Sequence, residues 1–342
     1  MTHTPKTGKP RIGITLGDIN GIGPEVVMKA LLDARMLNLI TPVIYGSTRV
    51  LSYYKKLLSL EDFSYGQVKT PGQFVPKAIN VINCWEEAIE IQPGKPDTEA
   101  GRAALLSLKQ AAADLKSGII EALVTAPINK HVIHGSEFPF RGHTEFLADY
   151  FSVTDYLMFM VSEQLRVGLV TEHIPLKEVP LFISKDRIQT KLLIMEQTLR
   201  REFGINKPRM AVLGLNPHAG DGGLLGTEDD QLIKPVIDDL KNKGKLVFGP
   251  FPADGFFASG QYCRFDGILA MYHDQGLIPF KTISFESGVN LTAGLPVVRT
   301  SPDHGTAYSL AGKNAANESS MRQAIFTAVD ILNVRRGMTD SN

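Results

Sequence analysis

The feature that most constrains this chain is an alternation of short, almost wholly apolar runs with longer stretches of helical patterning. The runs are Arg11–Leu16, Pro42–Tyr45, Ala78–Ile82, Ala122–Thr125, Tyr156–Val161, Arg166–Thr171, Arg209–Leu215 and Gly267–Met271. Runs of this length that lack a polar face read as strands covered on both sides, the condition of a parallel sheet. Helix candidates lie between them: Pro24–Leu37, Thr98–Lys116, Thr144–Phe151, Lys185–Phe203, Thr227–Lys243 and Ser319–Asn333. Thr227 with Asp230 three residues on has the form of a capping box, and Gly244 that of a helix stop. The rhythm defines an α/β protein with mostly parallel sheets flanked by helices. A Gly-, Pro- and Phe-rich stretch, 249–260, reads as a long loop near the working end. With 342 residues, two lobes are expected. The first would comprise 1–130 and 295–342, and the second, 131–294, would be inserted into it.

Charge narrows the possible partners. Lys plus Arg and Asp plus Glu are balanced at 36 each, so no global positive field favours nucleic acid. Two cysteines, Cys84 and Cys263, are too few and too far apart for a disulfide framework or a CxxC metal site. Met1–Pro10 is polar and basic with no apolar core behind it, unlike a secretory leader. No apolar run approaches the roughly 20 residues that cross a bilayer. A cytoplasmic protein is expected, with a small molecule as its ligand.

Three of the eight histidines share a context. His173 follows the run ending at Thr171, His218 the run ending at Leu215, and His273 the run ending at Met271. Each stands just past the carboxyl end of a buried strand, where open α/β sheets place their ligands. Three neutral imidazoles meeting at one point suit Zn²⁺ and leave a fourth position open. The alternative is three unrelated loop histidines, and the residues by themselves leave both readings open.

Anion-handling segments are less specific. Gly17–Glu25 (GDINGIGPE) joins the first strand to the first helix, with Pro24 suited to a first helical turn. It is either a backbone cradle for a phosphate or a tight turn in which glycine permits close packing, and it is not a Rossmann fingerprint. Lys281, Asn290 and Arg299 lie in apolar or Gly-rich surroundings, as carboxylate or phosphate clamps would, and on spacing alone ordinary surface charge is the stronger of the two readings. Arg141–Glu145 (RGHTE) opens a helix, with Thr144 as its expected cap.

Taken together, GDINGIGPE (17–25), TAPINK (125–130), GHTE (142–145), NPHAG (216–220), PAD (252–254), YHDQG (272–276) and RTSPDHGTA (299–307) give the chain a family resemblance. It resembles the 4-hydroxythreonine-4-phosphate dehydrogenases of vitamin B6 biosynthesis over its whole length. The resemblance implies a two-lobed isocitrate/isopropylmalate dehydrogenase-like fold with the active site in the cleft between lobes. It implies metal ligation by His173, His218 and His273, with Zn²⁺ the expected ion and Co²⁺ or Mg²⁺ as alternatives. It implies substrate binding by His143, Thr144, Lys281, Asn290 and Arg299. It also implies a homodimer whose metal site is shared across the interface, with His273 the donated ligand. The stretch 303–317 is similar to the adenosine-binding loop of isocitrate and isopropylmalate dehydrogenases, which puts His304, Gly305, Ala307 and Asn317 at an NAD site. Those loops carry an acidic residue where this chain has Ser309, so NADP stays open beside NAD.

The implied reaction is oxidation of 4-phosphooxy-L-threonine by NAD to a β-keto acid that then loses CO₂. Lys281 and Asp254 are the candidates for proton handling. Within the family, erythronate or threonate 4-phosphate or an aromatic dihydrodiol would suit the same motifs. From other classes, the rivals are a three-histidine hydrolase or lyase and a non-catalytic phosphometabolite-binding protein.

Overall fold

The computed structural model describes residues 8–70, 72–134 and 138–339; most of the basic Met1–Pro10 segment lies outside them. Among the described residues there are twelve strands, in chain order β1 Arg11–Thr15, β2 Thr41–Gly46, β3 Tyr65–Gln67, β4 Ile79–Asn83, β5 Ala122–Thr125, β6 Leu157–Val161, β7 Arg166–Leu169, β8 Met210–Leu213, β9 Val247–Phe251, β10 Gly267–Ala270, β11 Val289–Ala293 and β12 Val298–Pro302. The chain divides into two compact units, one of 1–152 with 295–342 and one of 153–294. Residues 131–134 and 138–152 fall in the first unit rather than in the second lobe expected for them. The helix Lys130–Ile133 lies against the long helix Thr98–Lys116, which supplies the physical reason.

In the first unit the strand order is β3-β4-β2-β1-β5-β12, and every neighbouring pair is parallel. The two inner strands β1 and β2 are buried almost throughout, which is why their sequences lack a polar face. The turn after β1 is held by packing. A side chain at Gly23 would meet the Leu16 carbonyl oxygen at 2.1 Å, and buried Asn20 bonds Gln92 N and Lys95 O. Glycine at 23 is therefore a steric requirement of this turn, with Pro24 in the first turn of helix Gly23–Leu32.

The second unit has the order β11-β6-β7-β10-β8-β9. Pairs β11/β6 and β6/β7 are antiparallel, while β7/β10, β10/β8 and β8/β9 are parallel. All eight expected strands form. The expected loop 249–260 instead contains the end of β9 and the helix Ala253–Ala258. Pro250 is admissible there because β9 is the edge strand of this order. Phe251 stacks on Phe256, and Phe265 packs tilted against both, which gives the aromatic-rich segment a core of its own. Two caps differ from expectation. The segment after Thr227 opens as a single π-turn, Asp229–Ile233, whose first residue is not side-chain capped, so the capping box does not form. The helix His143–Tyr150 begins at His143 with Gly142 before it, so Thr144 is inside the first turn rather than the cap. Gly244 is left-handed and closes its helix as expected.

Candidate active site

In the first unit, β12 places Arg299 beside the end of β5. Arg299 is only 3% exposed, and its Nη2 and Nε donate to Thr125 Oγ1 at 2.6 and 3.2 Å. Burial lowers the Arg299 pKa to about 10, with the Glu145 carboxylate opposing the shift. His143 occupies the first position of its helix, and its ring Nε2 is buried with no hydrogen-bond partner. Burial holds its pKa well below the usual imidazole value, and the positive charges of Arg299 and then Lys130 push in the same direction. A neutral imidazole next to a desolvated guanidinium is a cationic recess suited to an anionic group. Thr144 and Glu145 follow in the same first turn, half-buried.

The loop 303–317 is fastened at several points within the same unit. Ile22 N donates to Thr306 O at 2.9 Å, and Ala316 N donates to the fully buried Glu25 at 2.9 Å. Tyr308 Oη donates to Asp18 at 2.5 Å and accepts from Asn129 Nδ2 at 2.9 Å. Burial raises the pKa of Asp18, and the hydrogen bond from Tyr308 opposes that shift. Of the expected cofactor residues, Ala307 is left-handed at φ 41°, and Gly305 has open space where a side chain would stand. His304 Nδ1 lies 3.2 Å from Gly305 O. Asn317 accepts from Ser319 N at 2.8 Å, which gives it a structural part at the start of helix Ser319–Thr339.

In the second unit, His173, His218 and His273 follow β7, β8 and β10, which are adjacent in the order β7-β10-β8. The His173 and His273 rings lie 5.7 Å apart between centroids, tilted by 44°. His273 Nδ1 is 2.7 Å from Asp274 Oδ1, the kind of second partner that orients a ligating imidazole. His218 is exposed in a left-handed run. Among the described residues the three imidazoles are not gathered within 4.8 Å of one another. Gln275 ties the strand ends together, accepting from Met271 N at 2.7 Å and donating to Gly214 O at 2.6 Å. Lys281 lies in the last turn of helix His273–Ser284, and Asn290 in β11 has a buried Oδ1 without a partner. Asp254 is exposed in the first turn of its helix.

Thr125, Lys130 and Glu145 were not singled out from sequence, although each lies inside a motif that was. Lys191 was missed altogether. It is largely desolvated, which lowers its pKa, and it donates to the Tyr156 carbonyl while lying 3.9 Å from Glu172. A lysine in an amphipathic helix gives no sequence signal of such burial.

Imidazoles at the carboxyl ends of parallel strands in one unit, and a desolvated arginine–histidine pair in the other, are the equipment of an α/β enzyme acting on an anionic small molecule. The comparison with known proteins is more specific. Residues 38–328 match the model of PdxA, the pyridoxal phosphate biosynthetic protein, and the chain belongs to that family. It is 50% identical over 329 residues to the 4-hydroxythreonine-4-phosphate dehydrogenase of Bacteroides thetaiotaomicron, covering 96% of this chain and 90% of that one. The crystal structure of the Klebsiella pneumoniae 4-hydroxythreonine-4-phosphate dehydrogenase superposes with a TM-score of 0.81 at 36% identity, covering 95% of this chain and 99% of that one. A putative D-threonate 4-phosphate dehydrogenase of Oceanobacillus iheyensis is 36% identical over 327 residues, covering 94% and 98%.

Proposed function

We propose that this protein oxidises 4-phosphooxy-L-threonine, with a nicotinamide dinucleotide as hydride acceptor and a divalent metal held by His173, His218 and His273. The observation that carries the reading is the set of three strand-end imidazoles, two with ring centroids 5.7 Å apart, in a chain 50% identical to a dehydrogenase of this substrate. An all-imidazole donor set suits Zn²⁺ or Co²⁺ better than Mg²⁺, which prefers oxygen.

When bound, the metal lowers the pKa of a coordinated hydroxyl, and the nicotinamide takes up the hydride. The chain's own residues do the rest. Arg299, oriented by Thr125, and neutral His143 with Thr144 bind the phosphate and displace its water. Lys281 and Asn290 are the polar groups we assign to the amino-acid end, with Lys281 or Asp254 handling the hydroxyl proton. Hydride leaves the carbinol carbon and the hydroxyl proton is released. The resulting 2-amino-3-oxo-4-phosphooxybutanoate loses CO₂ to give 3-amino-2-oxopropyl phosphate.

For the dinucleotide, the fastened 303–317 loop offers open backbone at Gly305, which suits close approach of an adenosine. Ser309 brings no carboxylate to repel a 2′-phosphate, so NADP is admissible with NAD.

A homodimer fits the surface of the second unit. Its exposed apolar side chains follow the three histidines in sequence: Leu181 (81% exposed) after His173, Leu224 (79%) after His218, Phe285 (78%) after His273. Exposed apolar side chains of this size would support a covered surface where they lie together in one patch. A second copy seated there would bring its own histidines alongside, so that one ligand, His273, comes from the partner. No helix among the described residues is long and apolar enough to cross a membrane; a cytoplasmic location is our expectation for a biosynthetic enzyme of this kind.

The test is a substrate panel followed by NADH absorbance at 340 nm. 4-Phosphooxy-L-threonine should turn over with release of CO₂, at a kcat/KM well above that for D-threonate or D-erythronate 4-phosphate. A preference for either sugar acid would replace the substrate, and binding of phosphorylated acids without NADH formation would remove the enzyme reading.

A further inference from the structure

The segment carrying His218 has an unusual backbone. His218, Ala219, Gly220, Asp221, Gly222 and Gly223 all have positive φ, at 54°, 52°, 83°, 45°, 64° and 93°. Three of these residues carry side chains. The left-handed conformation costs such residues on the order of 1–2 kcal/mol each. A run of this kind persists only where its surroundings over-determine it.

One residue meets that requirement. Asp229 opens the π-turn of the second unit and is completely buried. Its Oδ1 accepts from Leu215 N at 2.8 Å, and its Oδ2 accepts from Asn216 N at 3.1 Å and Asn216 Nδ2 at 3.0 Å. The carboxylate thus takes the two backbone N–H groups at the end of β8 that no strand partner reaches, two residues before His218. Gly214 makes the approach possible, since a side chain there would meet Asp229 Oδ1 at 2.7 Å. The turn then closes on itself through Ala219 N to Asn216 O at 3.1 Å and Leu225 N to Gly220 O at 3.0 Å. The extra residue of the π-turn is a feature that recurs where a helix is bent to a local task. Here the task is to deliver one carboxylate to the strand end.

We propose that Asp229 is a positioning residue for the metal: it locks Leu215 and Asn216, forces the left-handed run, and so fixes the direction of the His218 imidazole. The proposal rests on the three-histidine reading given above. Groups hydrogen-bonded directly to a ligating side chain change metal affinity by about 10- to 100-fold when removed, and a tenfold loss is the effect expected from Asp229, which acts through the backbone at Leu215 and Asn216. A carboxylate that only stabilises the fold would change melting temperature and leave the affinity of the folded protein alone.

The experiment is titration of apo full-length protein with Co²⁺, followed by its visible absorption and by competition with a chelator, at a temperature where circular dichroism shows the variant folded. Wild-type protein should bind Co²⁺, and His218→Ala should lose the band. If wild-type binds none, the metal reading itself fails. Given wild-type binding, Asp229→Asn should weaken Co²⁺ at least tenfold; affinity within about twofold of wild-type overturns the proposal. If Asp229→Asn does not fold, Asn216→Ala provides the second arm: it removes the amide's hydrogen bonds to Asp229 and to Glu228 and buries nothing new. It should weaken Co²⁺ several-fold, and unchanged affinity there equally overturns the proposal.

Discussion

Replacing Thr125 by Val would remove one oxygen at nearly constant volume from beneath the Arg299 guanidinium. Thr125 is completely buried and Arg299 is 3% exposed, so water cannot take the place of the lost acceptor. Two N–H donors, now bonded at 2.6 and 3.2 Å, would lose their shared partner. A buried donor left unsatisfied costs about 1–3 kcal/mol, toward the upper end when it belongs to a charged group. Because both bonds share one acceptor oxygen, the pair counts as one strong interaction, and about 2 kcal/mol is the expected loss. For a chain of 342 residues that lowers Tm by roughly 3 °C. The same change frees the guanidinium plane, so KM for the phosphorylated substrate should rise about tenfold, equivalent to about 1.4 kcal/mol of binding. The hydride step should keep its kcat to within a few-fold. Calorimetry and initial rates of NADH formation read the two quantities separately. A variant with unchanged Tm and KM would show that Thr125 does not orient Arg299, and the account of the anion recess would have to be redrawn.

Other perturbations have equally definite outcomes. Arg299→Lys keeps the charge but loses the planar fork, and should raise substrate KM at least tenfold in steady-state assays. His143 has a folded pKa below its unfolded value of 6.5, so the unfolded chain binds the extra proton. Its contribution to stability is therefore present above pH 6.5 and is lost as pH falls below it; His143→Gln should flatten that part of the Tm–pH curve. Asp18 has the opposite sign, with a folded pKa raised above 3.8. Its favourable contribution is full below pH 3.8 and declines as pH rises through the raised value, a slope that denaturant melts should find missing in Asp18→Asn. Gly23→Ala puts a methyl group 2.1 Å from the Leu16 carbonyl and should lower Tm by more than any of these.

Much of this was legible in the residues. Strands buried on both faces announce themselves by composition, so all eight of the expected ones are present, and with them the strand ends that carry His173, His218 and His273. Elements defined by tertiary contact were not legible. Strand β12 carries Arg299, Thr300 and Ser301, three polar residues buried in the sheet, so hydrophobic pattern cannot reveal it. Strand β9 contains Gly249 and Pro250, which signal a loop unless one knows that it lies at an edge and is packed by distant Phe265. Helix starts were misjudged at Thr144 and Thr227 because a capping sequence competes with what the chain is pulled toward. For 227–233 that pull is the insertion of Asp229 against the end of β8. Asp229 and Lys191 carry no local signal, since their burial is decided by residues well separated in sequence.

The central claim is that the three strand-end histidines hold one divalent ion needed for oxidation of the phosphorylated substrate. The direct measurement is activity with 4-phosphooxy-L-threonine and NAD after exhaustive chelation, followed by stepwise return of Zn²⁺ or Co²⁺, for wild-type and His218→Ala side by side. Activity should vanish on chelation and return at one ion per site in wild-type only. Undiminished turnover of the chelated enzyme, or full recovery by His218→Ala, would contradict the account.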